Sequence, residues 1–137
     1  MTRATTIINA SLEKVWSELL FKIDHPENFV PGVSDVLILE KNSNYVIRKM
    51  TITTVENVFS ITEKITFQPF IVQFFIIDHP QYEGYVENEA KSISEQKTEI
   101  TFTMNWKNKT TQEIVQNSAI LENAVLKTKE YIENKII

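Results

Sequence analysis

The beginning of the chain changes from an alternating to a helical spacing of its apolar residues. This pattern predicts a short strand over residues 5–9, followed by a helix with Ser11 as its N-cap. One face of that helix carries six apolar residues: Leu12, Val15, Trp16, Leu19, Leu20 and Ile23. The helix should end at about Lys22, because Pro26 forces the residue before it out of the α region. Pro26 is also suited to open a second short helix, which would end at Phe29.

From residue 36 onward the hydrophobic period becomes two, which is typical of β-strands. We predict six strands, over residues 36–40, 45–53, 57–67, 70–77, 84–94 and 97–106. Turn-forming residues separate the two members of each successive pair, and connections this short permit only antiparallel pairing. The middle of the chain should therefore form three hairpins.

The last part of the chain returns to helical spacing. Residues 110–113 read Thr-Thr-Gln-Glu, which matches a capping box and predicts a helix that runs from there toward Ile137. At 1.5 Å per residue this helix would be roughly 35 to 40 Å long. Its inward stripe would consist of Ile114, Ser118, Leu121, Val125, Thr128 and Ile132.

The order strand, two short helices, six strands and long helix indicates an α+β fold. We expect a curved antiparallel sheet of about seven strands, wrapped around the long C-terminal helix. A chain of 137 residues that is 42% hydrophobic can bury one ordinary core, so a single domain over residues 1–137 is expected. A long helix that lies across such a sheet leaves a space between the two.

Composition excludes several classes of site. The chain has no cysteine, which excludes disulfides, thiolate zinc sites and a cysteine nucleophile. Its two glycines, Gly32 and Gly84, are too few and too far apart for a P-loop or a dinucleotide fingerprint. A net charge of −4 with scattered lysines argues against a nucleic-acid surface. We therefore expect no cofactor and no nucleic-acid partner.

The sequence gives no indication of membrane insertion or export. Its N-terminus lacks the apolar core of a signal peptide. The longest apolar run, over residues 70–77, is far too short to cross a bilayer. A cytoplasmic location is the expectation.

Three segments resemble a known superfamily: IINASLEKVWSEL, ENFVPGVSDVLILE and the final helix after NWKNKTTQE. They are similar to the helix-grip proteins called SRPBCC, which include START lipid-transfer domains, birch-pollen-type allergens and polyketide aromatase/cyclases. The spacing of FVPG, Arg48, Glu63 and Asn88 resembles the AtaL-like subgroup. The allergen branch has a Gly-rich loop, whereas residues 41–44 hold no glycine, which argues against phosphate binding here.

Two charged residues fall on the inward face of alternating strands. Arg48 shares its face with Val46 and Met50, and Glu63 shares its face with apolar neighbours. If the two strands pair as a hairpin, Arg48 lies opposite or diagonal to Glu63. The pair is either structural, with two charges neutralising each other, or functional, with Arg48 offering spare donors to a ligand. Glu63 is less suited to act as a general base, because a neighbouring arginine lowers the pKa of a carboxylate.

The remaining candidate residues are inward-facing positions around this pair. A concave sheet under a helix borders the cavity in a helix-grip fold, so these side chains are predicted to form its wall. Asn88 is the polar member. The apolar members are Phe59, Ile61, Phe74, Phe102, Met104, Trp106, Leu121 and Val125.

The opposite face of residues 70–77 carries Ile71, Phe75 and Ile77, although a water-facing strand surface should be polar. This pattern leaves two interpretations, a shifted register or a covered face. On the second we predict a weak homodimer through this strand.

The motif Ile-Asp-His-Pro occurs twice, at residues 23–26 and 77–80, and includes both histidines. No closely spaced pair of ligands accompanies either copy, so no metal site is predicted. What the copies share is an acid and a proline that end a secondary-structure element. We expect His25 and His79 to mark loops at the edge of the cavity.

Two classes of function follow from these observations. The favoured one is the binding of a small apolar or aromatic ligand, with its polar end at Arg48 and Glu63. The alternative is an enzyme of the aromatase/cyclase or small-hydrolase type that uses the same cavity, although no nucleophile and base are evident. A cochaperone-like interaction domain is a further alternative. A filled interior would favour this last class.

Overall fold

The structure, a computed structural model, describes residues 1–136. It contains seven strands: β1 Thr2–Ile8, β2 Val33–Lys41, β3 Tyr45–Thr53, β4 Val58–Gln68, β5 Ile71–Ile77, β6 Tyr82–Ser94 and β7 Lys97–Asn108. Helix α1 spans Leu12–Asp24, a 3-10 turn follows at Pro26–Asn28, and helix α2 spans Ser118–Ile136.

The strands form one antiparallel sheet in the order β1-β7-β6-β5-β4-β3-β2. Strands β2 to β7 pair with their neighbours in sequence, as the short connections require, and β1 closes the order by pairing with β7. Both helices pack against the same face of this sheet. The predicted α+β helix-grip architecture is thereby confirmed.

The core lies between the helices and the concave face of the sheet. Its fully buried members come from every layer, for example Ile8 of β1, Leu19 of α1, Ile65 of β4, Ile100 of β7 and Ile132 of α2, each 0% exposed. Complete burial of an aliphatic side chain stabilises a fold by about 1.5–3 kcal/mol. The same contacts therefore hold both helices against the sheet.

The predicted start of the C-terminal helix is wrong. Helix α2 begins at Ser118 and has 19 residues, a length of about 28 Å. The predicted capping box at residues 110–113 lies in a loop, where Asn108 Oδ1 accepts the backbone N–H groups of Thr110 and Thr111. Ile114, predicted for the helical stripe, is instead half-exposed and forms an isolated bridge with β7.

This loop is held by tertiary pairing that its local sequence does not reveal. The backbone N–H of Val115 donates to the carbonyl of Trp106 at 2.8 Å, and that of Asn108 donates to Glu113 at 2.9 Å. Asn117 Oδ1 then accepts the N–H of Ile120 at 3.3 Å and caps the helix. Because residues 113–115 pair with the end of β7, the helix begins about two turns later than predicted.

Several strand boundaries also differ from the predicted ones by a few residues. Strand β1 begins at Thr2 instead of residue 5, and β2 begins at Val33 instead of residue 36. In both, the added residues pair with a neighbouring strand, as Thr2 does with Met104. Pairing across the sheet, rather than local propensity, decides where these strands end.

Neither helix within residues 1–136 combines the length and the apolar character needed to span a membrane.

Candidate functional site

A cavity of about 240 Å³ lies between the concave face of the sheet, the end of α1 and the first half of α2. Strands β3 to β7 supply most of its wall. Ten of the residues predicted from the sequence line it: Arg48, Phe59, Ile61, Glu63, Phe74, Asn88, Phe102, Met104, Trp106 and Leu121. Val125, also predicted, is buried in the core but does not reach the cavity wall. On α2 it lies one turn beyond Leu121, where the helix already packs against the sheet.

Exposed residues mark the opening of the cavity. Pro31 precedes β2, Thr54 follows β3, and Ile120 and Asn123 lie on the first turns of α2; all four line the cavity and are exposed. The backbone N–H of Thr53 donates to the carbonyl of Gly32 at 2.8 Å, which fixes the Pro31 side of the opening. The late start of α2 therefore sets one side of the entrance.

Arg48 and Glu63 form a buried ion pair. They are directly opposite in the β3–β4 register, and Arg48 Nη2 donates to Glu63 Oε1 at 2.6 Å. Their side chains are only 3% and 5% exposed. The inward Arg–Glu pair expected from the alternation is present in the structure.

The guanidinium of Arg48 also closes the end of helix α1. Its Nη1 donates to the backbone carbonyl of Ile23 at 2.8 Å and, at 3.4 Å, to that of Lys22. The last carbonyls of a helix have no intrahelical donor and carry its negative dipole end, so a buried cation stabilises them. Most donors of Arg48 are thus engaged by the protein, which favours a structural role for this residue.

Lys22 is the charged group that sequence reasoning missed. Its side chain leaves the last turn of α1 and reaches the cavity, where Nζ donates to Asn88 Oδ1 at 2.5 Å. Nζ also lies 4.2 Å from the ring centroid of Phe102 and 5.3 Å from that of Phe74. Burial, followed by the positive charge of Arg48, lowers the pKa of Lys22 to about 7, against the opposing effect of Glu63.

A signal for Lys22 was present in the sequence. It lies seven residues after Val15 and three after Leu19, so it belongs to the same buried face of α1. Sequence reasoning used Lys22 only as the end of the helix. A lysine on an apolar helical face is most often an exposed snorkelling side chain, and only the tertiary structure shows that this one points into the cavity.

Three side chains of the cavity wall have a buried donor without a hydrogen-bond partner: Arg48 Nε, Asn88 Nδ2 and Trp106 Nε1. Buried donors are normally satisfied, so these atoms identify groups that a bound molecule could engage. Within the same residues the wall has three ionisable side chains, of which Lys22 and Arg48 are basic and only Glu63 is acidic. An oxygen acceptor, such as a carbonyl, a phenolate or a carboxylate, would complement these donors.

The histidines do not line this cavity. His79 Nδ1 accepts the backbone N–H groups of Gln81 and Tyr82 at 3.0 and 3.1 Å, and burial together with Lys109 lowers the pKa of His79. His25 is the C-cap of α1. Both copies of Ile-Asp-His-Pro thus end an element.

Within the described chain, no group of three His, Asp or Glu side chains is arranged to hold a metal ion.

Comparison with solved structures identifies close relatives in fold. The Zhui aromatase/cyclase from Streptomyces sp. R1128 has a TM-score of 0.77 at 14% identity, and the alignment covers 98% of this chain and 91% of that one. TTHA0849 from Thermus thermophilus has a TM-score of 0.73 at 11% identity, with 98% and 97% covered. A START superfamily protein from Mycobacterium smegmatis has a TM-score of 0.68 at 9% identity, with 98% and 95% covered. At such identities the likeness shows the fold alone.

Comparison of sequences identifies the family. No curated protein matches this chain. The model of the AtaL family, described as acetylaranotin biosynthesis cluster protein L, matches residues 4–136. The chain therefore belongs to the AtaL family, and its helix-grip fold is the one shared by these solved structures.

Proposed function

We propose that this protein binds a small apolar or aromatic molecule that carries an oxygen acceptor. The observation that supports this function most directly is the combination of apolar walls with unpartnered donors in one open cavity. Aromatic and aliphatic side chains would hold the body of the ligand. Lys22 and Asn88 would bind its oxygen, with Arg48 and Glu63 fixing the end of α1 beneath them.

The cavity volume limits the size of the ligand. At about 240 Å³ it lies below the ~300–1,000 Å³ that is common for drug-sized ligands, so one or two fused rings are the appropriate size. An open interior also favours ligand binding over the interaction-domain alternative, for which a filled core is expected.

Naphthoate and naphthalene form a matched pair of ligands for testing this function, since they differ only in the carboxylate. Charge-assisted hydrogen bonds contribute about 1.5–3 kcal/mol, so naphthoate should bind at least about tenfold more tightly. Fluorescence of Trp106, which lines the cavity, reports binding. Trp106→Phe should remove the ligand-dependent change, whereas Trp16→Phe should retain it, because Trp16 packs against Phe70 instead.

Variants of Lys22 and Arg48 test which residue binds the oxygen of the ligand. Lys22→Met should remove the preference for naphthoate over naphthalene. Arg48→Ala should weaken the uptake of both ligands, because the last carbonyls of α1 lose their donor. Native mass spectrometry of the purified protein would detect a ligand retained from the cell. If neither compound alters the fluorescence of Trp106, or if both bind equally to the wild type, the proposed function is wrong. If Arg48→Ala takes up both ligands as the wild type does, Arg48 has no part in the site.

An aromatase/cyclase-type activity is the second candidate function. Two observations favour it: the likeness in fold to the Zhui aromatase/cyclase, and a buried lysine whose pKa is about 7 in the cavity. Such an amine can move protons near neutral pH. Incubation with a poly-β-ketone thioester should yield cyclised products if this activity exists. Loss of turnover in Lys22→Met, with naphthalene binding retained, would separate catalysis from binding.

We also propose weak self-association through the convex face of β5. Ile71, Phe75 and Ile77 are half-buried there, and the ring of Phe75 packs against Tyr85 at 5.6 Å between centroids. Sedimentation at rising protein concentration should reveal a dimer that Phe75→Lys removes. A wild type that stays monomeric at high concentration would contradict this proposal.

A further inference from the structure

The position of Lys22 combines features that favour covalent chemistry at its amine. Its side chain lines the cavity, yet among residues 1–136 its Nζ forms no salt bridge. Its hydrogen-bond partner is a neutral amide oxygen, that of Asn88, and the rings of Phe74 and Phe102 surround it. A carboxylate partner would hold the ammonium form, and none occupies that position.

The charged groups that face Lys22 come from two neighbouring strands. Arg48 of β3 disfavours the ammonium and Glu63 of β4 favours it, but Glu63 is already engaged by Arg48 at 2.6 Å. Burial and Arg48 outweigh Glu63, and they lower the pKa of Lys22 to about 7. The unprotonated amine of Lys22 is therefore accessible near neutral pH, whereas ordinary lysines remain protonated. An amine in this state is a nucleophile.

We propose that Lys22 forms an imine with an aldehyde or ketone group of the ligand in this cavity. This inference rests on the proposed binding function and narrows the ligand to carbonyl compounds. Asn88 Nδ2, which lacks a hydrogen-bond partner, belongs to the same amide whose oxygen accepts the Lys22 amine in the wall of this cavity. This donor can bind the carbonyl oxygen while its carbon lies near Nζ.

The reaction is balanced without an oxidant or a reductant. The lone pair of Nζ attacks the carbonyl carbon and forms the C–N bond, while the π electrons of the C=O bond move to oxygen. Transfer of one proton from nitrogen to that oxygen gives a carbinolamine. The hydroxyl then leaves with the remaining proton of the nitrogen as one water, and a C=N double bond results.

Reductive trapping tests this step. The protein is incubated with naphthaldehyde and sodium cyanoborohydride near neutral pH, and the intact mass and the modified peptides are measured. We expect one adduct per chain, located at Lys22. Naphthoate, which occupies the cavity without an aldehyde, should suppress it. Lys22→Arg and Lys22→Met should abolish the adduct, whereas Lys49→Arg, which alters an exposed lysine of β3, should not change it.

The pH dependence adds a readout that a surface reaction would not reproduce. The rate of modification at Lys22 should rise through about pH 7 and level off above it, because the amine is then unprotonated. Modification of exposed lysines should keep rising toward about pH 10. Circular dichroism verifies that the Lys22 variants are folded.

Binding and trapping distinguish failure of this inference from failure of the proposed function. If naphthaldehyde alters the fluorescence of Trp106 but is trapped only on surface lysines, the imine is excluded and ligand binding stands. If neither naphthaldehyde nor naphthoate binds, both proposals are wrong. A single adduct at Lys22 that naphthoate suppresses supports both.

Discussion

Lys22 and Arg48 bring two positive charges into one apolar interior, and the structure satisfies them differently. Arg48 has a carboxylate and two helix carbonyls as partners. Lys22 has one amide oxygen and two aromatic rings. Because a buried ammonium without a counter-charge is costly, the pKa of Lys22 falls. The arginine links β3, β4 and the end of α1, whereas the lysine has no salt-bridge partner among residues 1–136.

We expect Lys22→Met to change how the free energy of unfolding depends on pH. The pKa of Lys22 is about 7 in the folded protein, and that of an unfolded lysine is about 10.4. Below the folded pKa both states hold the proton, and the folded protein bears the full cost of the buried charge. Between the folded and the unfolded pKa, only the unfolded state holds the proton of Lys22. The free energy of unfolding of the wild type therefore rises with pH, relative to the variant, by up to about 1.4 kcal/mol per pH unit.

Chemical denaturation at several pH values between about 6 and 10 measures this difference. Lys49→Met is the control. Lys49 is exposed and lies next to Arg48 on β3, so this variant should show the same pH dependence as the wild type. If the profiles of wild type and Lys22→Met run parallel, the pKa of Lys22 is not lowered.

The Arg48–Glu63 pair should couple strongly in a double-mutant cycle. Removal of one partner leaves the other charge buried, so Arg48→Met and Glu63→Met should each lower the free energy of unfolding by about 3–5 kcal/mol. The double variant should lose less than the sum of the two, because no unpaired charge remains. Urea denaturation of all four proteins gives the coupling energy. Additive losses, within about 0.5 kcal/mol, would contradict a stabilising ion pair.

At the scale of elements, the alternation of β3 and β4 determines where the ion pair of the site lies. Period two places Arg48 and Glu63 on one face, and the short hairpin connection makes them opposite or diagonal. The start of α2 is not determined locally. Residues 110–113 match the sequence of a capping box, but Asn108 Oδ1 accepts the N–H groups of Thr110 and Thr111. Ile114, which follows, pairs with Lys107 at the end of β7.

We predict that the true cap of α2 is Asn117. Asn117→Ala should lower the free energy of unfolding by about 1 kcal/mol, because the N–H of Ile120 loses its acceptor. Thr110→Ala, at the start of the sequence-predicted capping box, should have an effect of less than about 0.5 kcal/mol. Thermal or urea denaturation compares the two. A larger loss in Thr110→Ala would indicate that the helix begins earlier than Ser118.

At the scale of the whole molecule, the cavity results from the curvature of the sheet beneath α2. The side chains that line it belong to both helices, to the 3-10 turn, to strands β3 to β7 and to the loops between them. Apolar walls with three charged side chains, Lys22, Arg48 and Glu63, arise only when these elements are assembled. The first turns of α2 carry Ile120 and Asn123, which lie beside the opening.

Binding of a carboxylate should be linked to protonation of Lys22. A carboxylate in the cavity favours the ammonium and raises the pKa of Lys22, so naphthoate binding should take up a proton above about pH 7. Its affinity should then fall by up to about tenfold per pH unit, whereas that of naphthalene should not fall. Calorimetry in two buffers of different ionisation enthalpy measures the uptake. A pH-independent affinity for naphthoate would exclude Lys22 from contact with the carboxylate.

The sequence by itself determined the class of fold, the hairpins and the inward Arg48–Glu63 pair, because each follows from a local period or a short connection. Only the tertiary structure decided the start of α2, the exclusion of Val125 from the cavity wall and the role of Lys22. The direction of a long, flexible lysine depends on what surrounds it, and here the surroundings come from β3, β4, β6 and β7. A local pattern places the backbone of Lys22 on the buried face of α1, but the assembled core determines the pKa of its amine.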